Sequence, residues 1–235
     1  MAALSAPLGS SYVEQGSPAL SPEHGLMPLL TRAAPPSMSA ELPMAAYAPP
    51  RNTWNRMLIV GEAPGAEEIR QNQPFVGRSG QLLDKALTEA GMLRADCFVA
   101  NVFRYQPPGN KVDHFFASRR AAQQVGEGLA EDLGKFGGKY CRARFADEIA
   151  HLQRTIVAQK PAVLLAVGRT PLWALTGVDG ITAHAGQTLP CRFMMALPVV
   201  VTYHPSYILR GNWRLMTEWV GHMRQAQSLA AAARL

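Results

Sequence analysis

A three-layer α/β/α domain with a central four-stranded parallel sheet is predicted for this chain by two features. Four short apolar runs, Met57–Gly61, Phe98–Val102, Ala162–Gly168 and Val199–Tyr203, lack the strict alternation of half-exposed strands. Runs of this kind fit strands buried on both faces. Helical patterns separate and follow them, at Ser79–Gly91, Phe145–Gln159, Thr170–Thr176 and Trp213–Arg234. Strands alternating with helices pair in parallel through right-handed crossovers.

Residues 1–50 are rich in Pro, Ala and Ser with little periodicity, and read as an extended or partly disordered arm. Residues 51–235 form the domain, its core beginning near Trp54. The 111–144 segment carries many charges and the glycines Gly126, Gly128, Gly134, Gly137 and Gly138. It reads as an insertion with a short helix and a mobile turn.

The 235 residues, 48% hydrophobic, suffice for one good core. A net charge of +6 and a pI near 9.5 favour an acidic partner such as nucleic acid. Charge alone is equally compatible with a merely basic soluble protein. No apolar run reaches transmembrane length, and no basic-then-apolar leader opens the chain. Cys97, Cys141 and Cys191 are too scattered for a disulfide framework or a metal site. Reduced thiols and a cytoplasmic location are expected, with no cofactor and a monomeric state.

Ligands of parallel sheets bind beyond the carboxyl ends of the strands. Here those ends are decorated. The first runs into Gly61-Glu62-Ala63-Pro64-Gly65. The second ends at Asn101, followed by Arg104, Tyr105 and Pro107-Pro108-Gly109-Asn110. The third ends at Gly168-Arg169-Thr170, and the fourth at His204-Pro205-Ser206 and on to Arg210. Between the first two lies a turn that can present Phe75 as a flat wall. After it, Ser79 and Gly80 open a helix whose N–H groups suit an anion. A carboxylate, an amide, a histidine and an aromatic ring converging on one pocket suit a nucleobase turned out of its stack, with the backbone gripped by phosphate contacts.

The segments GEAPG at 61, QNQPFVGRSGQLLD at 71, NVFRYQPPGN at 101, LLAVGRTPLWALTG at 164 and TYHPSYILR at 202 resemble the uracil-DNA glycosylase superfamily, and most of all its family 4 branch. The resemblance spans about residues 55–212, with five short motifs in order. It implies hydrolysis of the N-glycosidic bond of a flipped pyrimidine, uracil by default, by a monofunctional DNA glycosylase. Glu62 would activate water or stabilise the positive sugar, and His204 would stabilise the departing base. Ala63, Phe75, Asn101 and Tyr105 would contact the base. Arg78, Ser79, Gly80, Arg169, Ser206 and Arg210 would hold DNA, and Tyr207, Ile208 and Leu209 would wedge into the gap left by the flipped nucleotide.

Two departures qualify the resemblance. Family 4 members carry four cysteines on an iron–sulfur cluster, two of them near the N-terminus. This chain has none there, has Tyr105 where the third would stand, and near the fourth, around Glu148, has only Cys141. A cluster needs about four thiolates, so none is expected. The 111–144 insertion follows the Asn101 strand closely, which bears on the base specificity, and two alternatives stand beside the uracil reading. One is a glycosylase for a bulky modified pyrimidine of phage DNA, serving antiphage defence. The other is a catalytically weak DNA-binding or base-sensing module. A related branch traps the sugar on a histidine in the loop after the asparagine strand, but His114 lacks that branch's preceding basic run and reads, like His184, as structural or solvated. Trp54, Trp173, Trp213 and Trp219 read as packing residues. The basic residues of the insertion, Arg119, Arg120, Lys135, Lys139, Arg142 and Arg144, read as a solvated face.

Overall fold

The structure is a computed structural model, and it describes residues 43–233. The chain runs through β1 (Met57–Gly61), α1 (Ala66–Gln71), α2 (Arg78–Glu89) and β2 (Phe98–Asn101). It then makes an excursion through β3 (Phe116–Ala117), α3 (Arg119–Gln124), β4 (Leu129–Phe136) and β5 (Lys139–Arg142). It returns by α4 (Ala146–Gln159), β6 (Val163–Val167), α5 (Arg169–Thr176), α6 (Ile181–His184), β7 (Thr188–Cys191), β8 (Met194–Thr202), α7 (Pro205–Leu209) and α8 (Met216–Ala232).

The main sheet has the order β2-β1-β6-β8-β7. Its first four strands are parallel and match the four apolar runs, except that β8 begins at Met194, five residues before the expected start at Val199. The expected count of four is corrected by β7, which pairs antiparallel to β8 at the edge. Its Pro190, which has no N–H to give the ladder, is tolerated at such an edge.

Successive residues of the central strands point to opposite faces, and this builds the three layers. Met57, Ile59, Leu165 and Val200 face α2, α7 and α8 through Leu83, Ile208, Trp219 and Met223. Leu58, Val60, Leu164 and Val199 face α4 and α5 through Ile149, Leu152, Trp173 and Leu175. No helix among the described residues is long and apolar enough to cross a membrane.

The insertion departs from expectation. Its short helix is present as α3, with Ser118 Oγ accepting the Ala121 N–H (3.2 Å). Instead of a mobile turn, the chain forms an antiparallel sheet of order β3-β5-β4. The Phe116 and Phe136 rings stack at 4.3 Å and meet Trp173 edge-on, which ties this sheet to the second core. Its basic residues are largely paired: Arg119 with Glu131, Lys139 with Asp113, Arg142 and Arg144 with Glu127.

Most of the expected N-terminal arm lies outside the described residues. Its last part is anchored: Tyr47 exchanges two backbone hydrogen bonds with Val99 (2.9 Å each), and Met44 N–H donates to the Arg104 carbonyl. Those bonds cover the otherwise open edge of β2.

Candidate active site

A cleft of about 740 Å³ opens at the carboxyl ends of β1, β2, β6 and β8. Glu62, Phe75, Asn101 and His204 all line it, so four different chain segments deliver the expected constellation to one place.

Glu62 leaves β1 directly. Thr170, fully buried at the start of α5, donates from its hydroxyl to Glu62 Oε2 (2.5 Å). Burial raises the Glu62 pKa above the ordinary carboxylate value. The Thr170 hydrogen bond and the positive charges of Arg169 and Arg210 oppose that rise.

The two glycine turns beside Glu62 are joined by Glu68, which sequence reasoning missed. Its carboxylate accepts the N–H of Gly65 and of Gly77, both at 3.1 Å. These glycines precede α1 and α2 and have no capping side chain of their own. The signal was there in the spacing, a glutamate three residues into α1 in the position that closes a capping box.

Phe75 has φ of 56°, the left-handed region that an aromatic residue rarely occupies. Arg94 holds it there, with Nη1 donating to the carbonyls of Pro74 and Phe75 (2.7 Å each) while the guanidinium bonds Asp84. Gly80 makes the bend possible, since a Cβ on it would fall 1.7 Å from the Phe75 carbonyl oxygen. That packing, on a buried residue away from the cleft wall, replaces the expected anion contact of Gly80. Gly61 serves a similar end, because a Cβ there would meet Asn101 Oδ1 at 2.3 Å and the Phe75 ring at 2.7 Å. Amide and ring thus meet above a bare stretch of backbone.

His204 follows β8 and caps α7. Its Nδ1 accepts the backbone N–H of Ser206 (3.2 Å) and contacts Ser206 Oγ (2.8 Å). A backbone N–H can only donate, so Nδ1 is unprotonated and the neutral ring carries its proton on Nε2. Burial, aided by the charge of Arg210, holds the pKa down at about 4. The ring is therefore neutral at pH 7. Gly168, at φ of 103°, brings β6 close enough that a side chain there would press on His204 Cβ (3.0 Å).

Other expected residues fall out unevenly. Ala63, Arg78, Ser79, Ser206, Tyr207 and Arg210 line the cleft. Tyr105 does not; the loop after β2 reaches the cleft with Asn110 instead. Arg169 lines it, but its Nε and Nη2 bond Asp179 (2.6 and 2.7 Å) and its guanidinium lies 4.4 Å from the centre of the Phe136 ring. Arg169 thus meets the cleft as an ion-paired guanidinium. Ile208 is fully buried in the first core and cannot serve as a wedge. Leu209 packs partly on the same core. His114 stands off the cleft against Phe115 and Phe145.

Residues 52–225 match the family model of the uracil DNA glycosylase superfamily. The chain belongs to that superfamily. The match takes in every strand of the main sheet and all four segments of the cleft. Among its relatives are three proteins named type-4 uracil-DNA glycosylase. That of Archaeoglobus fulgidus is 42% identical over 164 residues, 67% of this chain and 69% of its own. That of Thermotoga maritima is 29% identical over 165 residues, 68% of this chain and 70% of its own. That of Pyrobaculum aerophilum is 29% identical over 160 residues, 66% and 68% of the two chains. As a member of the superfamily the protein is a DNA glycosylase.

The iron–sulfur cluster implied by the type-4 resemblance does not fit this glycosylase. The whole chain holds three cysteines, all of them buried. Burial pushes the Cys97 thiol up to about 11 and the Cys141 thiol up to about 12, away from the thiolate form that iron requires. Near the expected third and fourth ligand positions stands an ion pair. Arg104 donates from its backbone N–H, Nε and Nη2 to the Glu148 carboxylate at 3.0, 2.9 and 2.8 Å. That carboxylate is almost wholly buried.

Proposed function

We propose that this glycosylase hydrolyses the N-glycosidic bond of uracil in DNA, with Glu62 and His204 as its catalytic residues. The observation that carries the proposal is the state of His204, a neutral imidazole with its proton fixed on Nε2, on the wall of the cleft that Glu62 also lines.

Cleavage of the bond from C1′ of the sugar to N1 of the base leaves positive charge on the sugar and negative charge on the base. Glu62 offers an anion to the sugar and an acceptor for a proton of the attacking water. His204 offers Nε2–H to a carbonyl oxygen of the departing base, and a neutral imidazole can play this electrophilic part. Such a preorganised donor lowers the barrier by about 2.7–4 kcal/mol. Phe75 stacks on the base, and Asn101 bonds the pyrimidine edge through one donor and one acceptor. Ser206, Arg210, Arg78 and Ser79 bind the phosphates, and Tyr207 fills the vacated stack. The buried free thiols accord with a cytoplasmic location.

A bulkier modified pyrimidine, with antiphage defence as its setting, is a second reading. It is favoured by the small residues Ala63, Pro64 and Gly65 on the wall beside Glu62. Base release followed by mass spectrometry, on uracil-containing DNA and on phage DNA with modified pyrimidines, separates the two. Glu62→Gln and His204→Ala should each slow release by about 10²- to 10³-fold. Release at the wild-type rate by both variants would overturn the assignment.

A further inference from the structure

We propose that Trp213 is a stacking platform for a nucleobase of the DNA strand as it leaves the cleft, a contact outside the pocket for the flipped base. The inference rests on the DNA glycosylase reading above. Trp213 is 53% exposed, whereas Trp173 and Trp219 are fully buried, so the packing role expected for all the tryptophans does not hold for it. A tryptophan left in water forgoes the large burial its ring would gain in a core. Its position argues for a ligand that supplies that burial.

The ring stands on a fixed support. Trp213–Leu215 is a 3₁₀ turn directly before α8. Asn212 Nδ2 donates to the Tyr207 carbonyl (2.8 Å) and its backbone N–H to that of Ile208 (3.0 Å), while Leu215 N–H returns to Asn212 (3.0 Å). Gly211, at φ of 100°, makes the corner. Leu215 and Met216 pack on the first core, which leaves Trp213 and Arg214 as the outward members of the turn.

The surroundings match a single strand of nucleic acid. Arg210 and Arg214 flank the ring in the chain, both exposed, and among the described residues neither forms an ion pair with a carboxylate. Arg210 and Tyr207 line the cleft itself. Trp213 follows Arg210 by three residues in the chain, directly after the segment that forms that wall. Cations that track a backbone, interleaved with an aromatic face, are the elements of single-strand binding, and the stacking is tolerant of base identity. A protein partner would call for apolar neighbours around the ring, and its chain neighbours are Asn212 and Arg214.

The test is the affinity of full-length protein for a labelled single-stranded oligonucleotide without uracil, read by anisotropy, beside uracil release and indole fluorescence. Trp213→Ala should weaken binding by about 5- to 150-fold. The slope of log affinity on log salt should stay unchanged, because stacking releases no counterions. Trp213→Phe should keep most of the affinity and lose most of the fluorescence quenching that DNA causes. Wild-type affinity in Trp213→Ala, alongside a wild type that binds DNA and releases uracil, would overturn the platform alone. A wild type that neither binds nor releases would overturn the functional reading together with it.

Discussion

Replacing Thr170 by Val removes one hydroxyl and tests how Glu62 is kept competent. Two opposed effects set the Glu62 pKa: burial raises it, and the Thr170 hydrogen bond is the largest influence that lowers it. Thr170 is fully buried, and without its hydroxyl Glu62 Oε2 loses that donor. A hydrogen bond to a charged group contributes about 1.5–3 kcal/mol, and about 1.4 kcal/mol corresponds to one pKa unit. The acid limb of kcat/KM for uracil release should therefore move up by about one to two pH units. Valine nearly matches threonine in shape, so activity well above the limb should stay close to wild type. Release from a uracil-containing oligonucleotide, measured between pH 4 and 9, gives the profile, whose acid limb reports the base in the free enzyme. An acid limb that does not move, or an equal loss at every pH, would refute the reasoning.

Three further outcomes are expected. Glu62→Gln should raise the melting temperature at pH 8 and not at pH 4. The folded pKa of Glu62 is raised, so stability linked to this group is present below its unfolded value and lost as pH rises through the folded one; calorimetry at both pH values checks the sign. Glu68→Ala leaves the N–H groups of Gly65 and Gly77 without their acceptor. It should slow uracil release by loosening the two turns that carry Glu62 and Phe75, with a stability loss of about 1–3 kcal/mol by denaturant titration. Arg104→Met strands the buried Glu148 carboxylate and should cost about 3–5 kcal/mol, most of it regained in the double variant Arg104→Met, Glu148→Leu; a double-mutant cycle with no coupling would dismiss the pair.

The four parallel strands were legible because both their faces are buried, which makes them continuous apolar runs. β7 was not, because its Thr188, Leu189 and Pro190 remain partly exposed at an edge. β4 was hidden for a related reason: only Phe136 in it is buried, and its polar, glycine-bearing run acquires a core side only when Phe136 reaches Trp173. The site shows the same division. Glu62, Asn101 and His204 could be found because strand ends are where such sheets bind ligands. Thr170, Arg94 and Asp179 act through distant partners. Arg169 read as a phosphate ligand, and nothing in the sequence marks Asp179, ten residues on, as its partner.

The insertion and the Arg104–Glu148 pair bear on one question, which is what fixes the Asn101 strand end in a member lacking the cluster. Asn101 is followed within three residues by Arg104, whose backbone N–H and side chain both close on Glu148 of α4. Just beyond, Phe103 stacks on Phe115 at 3.9 Å and meets Phe116 and Phe145 edge-on. The carbonyl of Arg104 also receives the Met44 N–H from the N-terminal segment. Three independent elements thus converge on residues 103–104: α4 by charge, the insertion by aromatic packing and the N-terminal segment by a backbone bond. A cluster would tie such segments through thiolates on one inorganic centre. Here the same segment is tied by a buried ion pair and an aromatic group, so the position of Asn101 depends on protein packing.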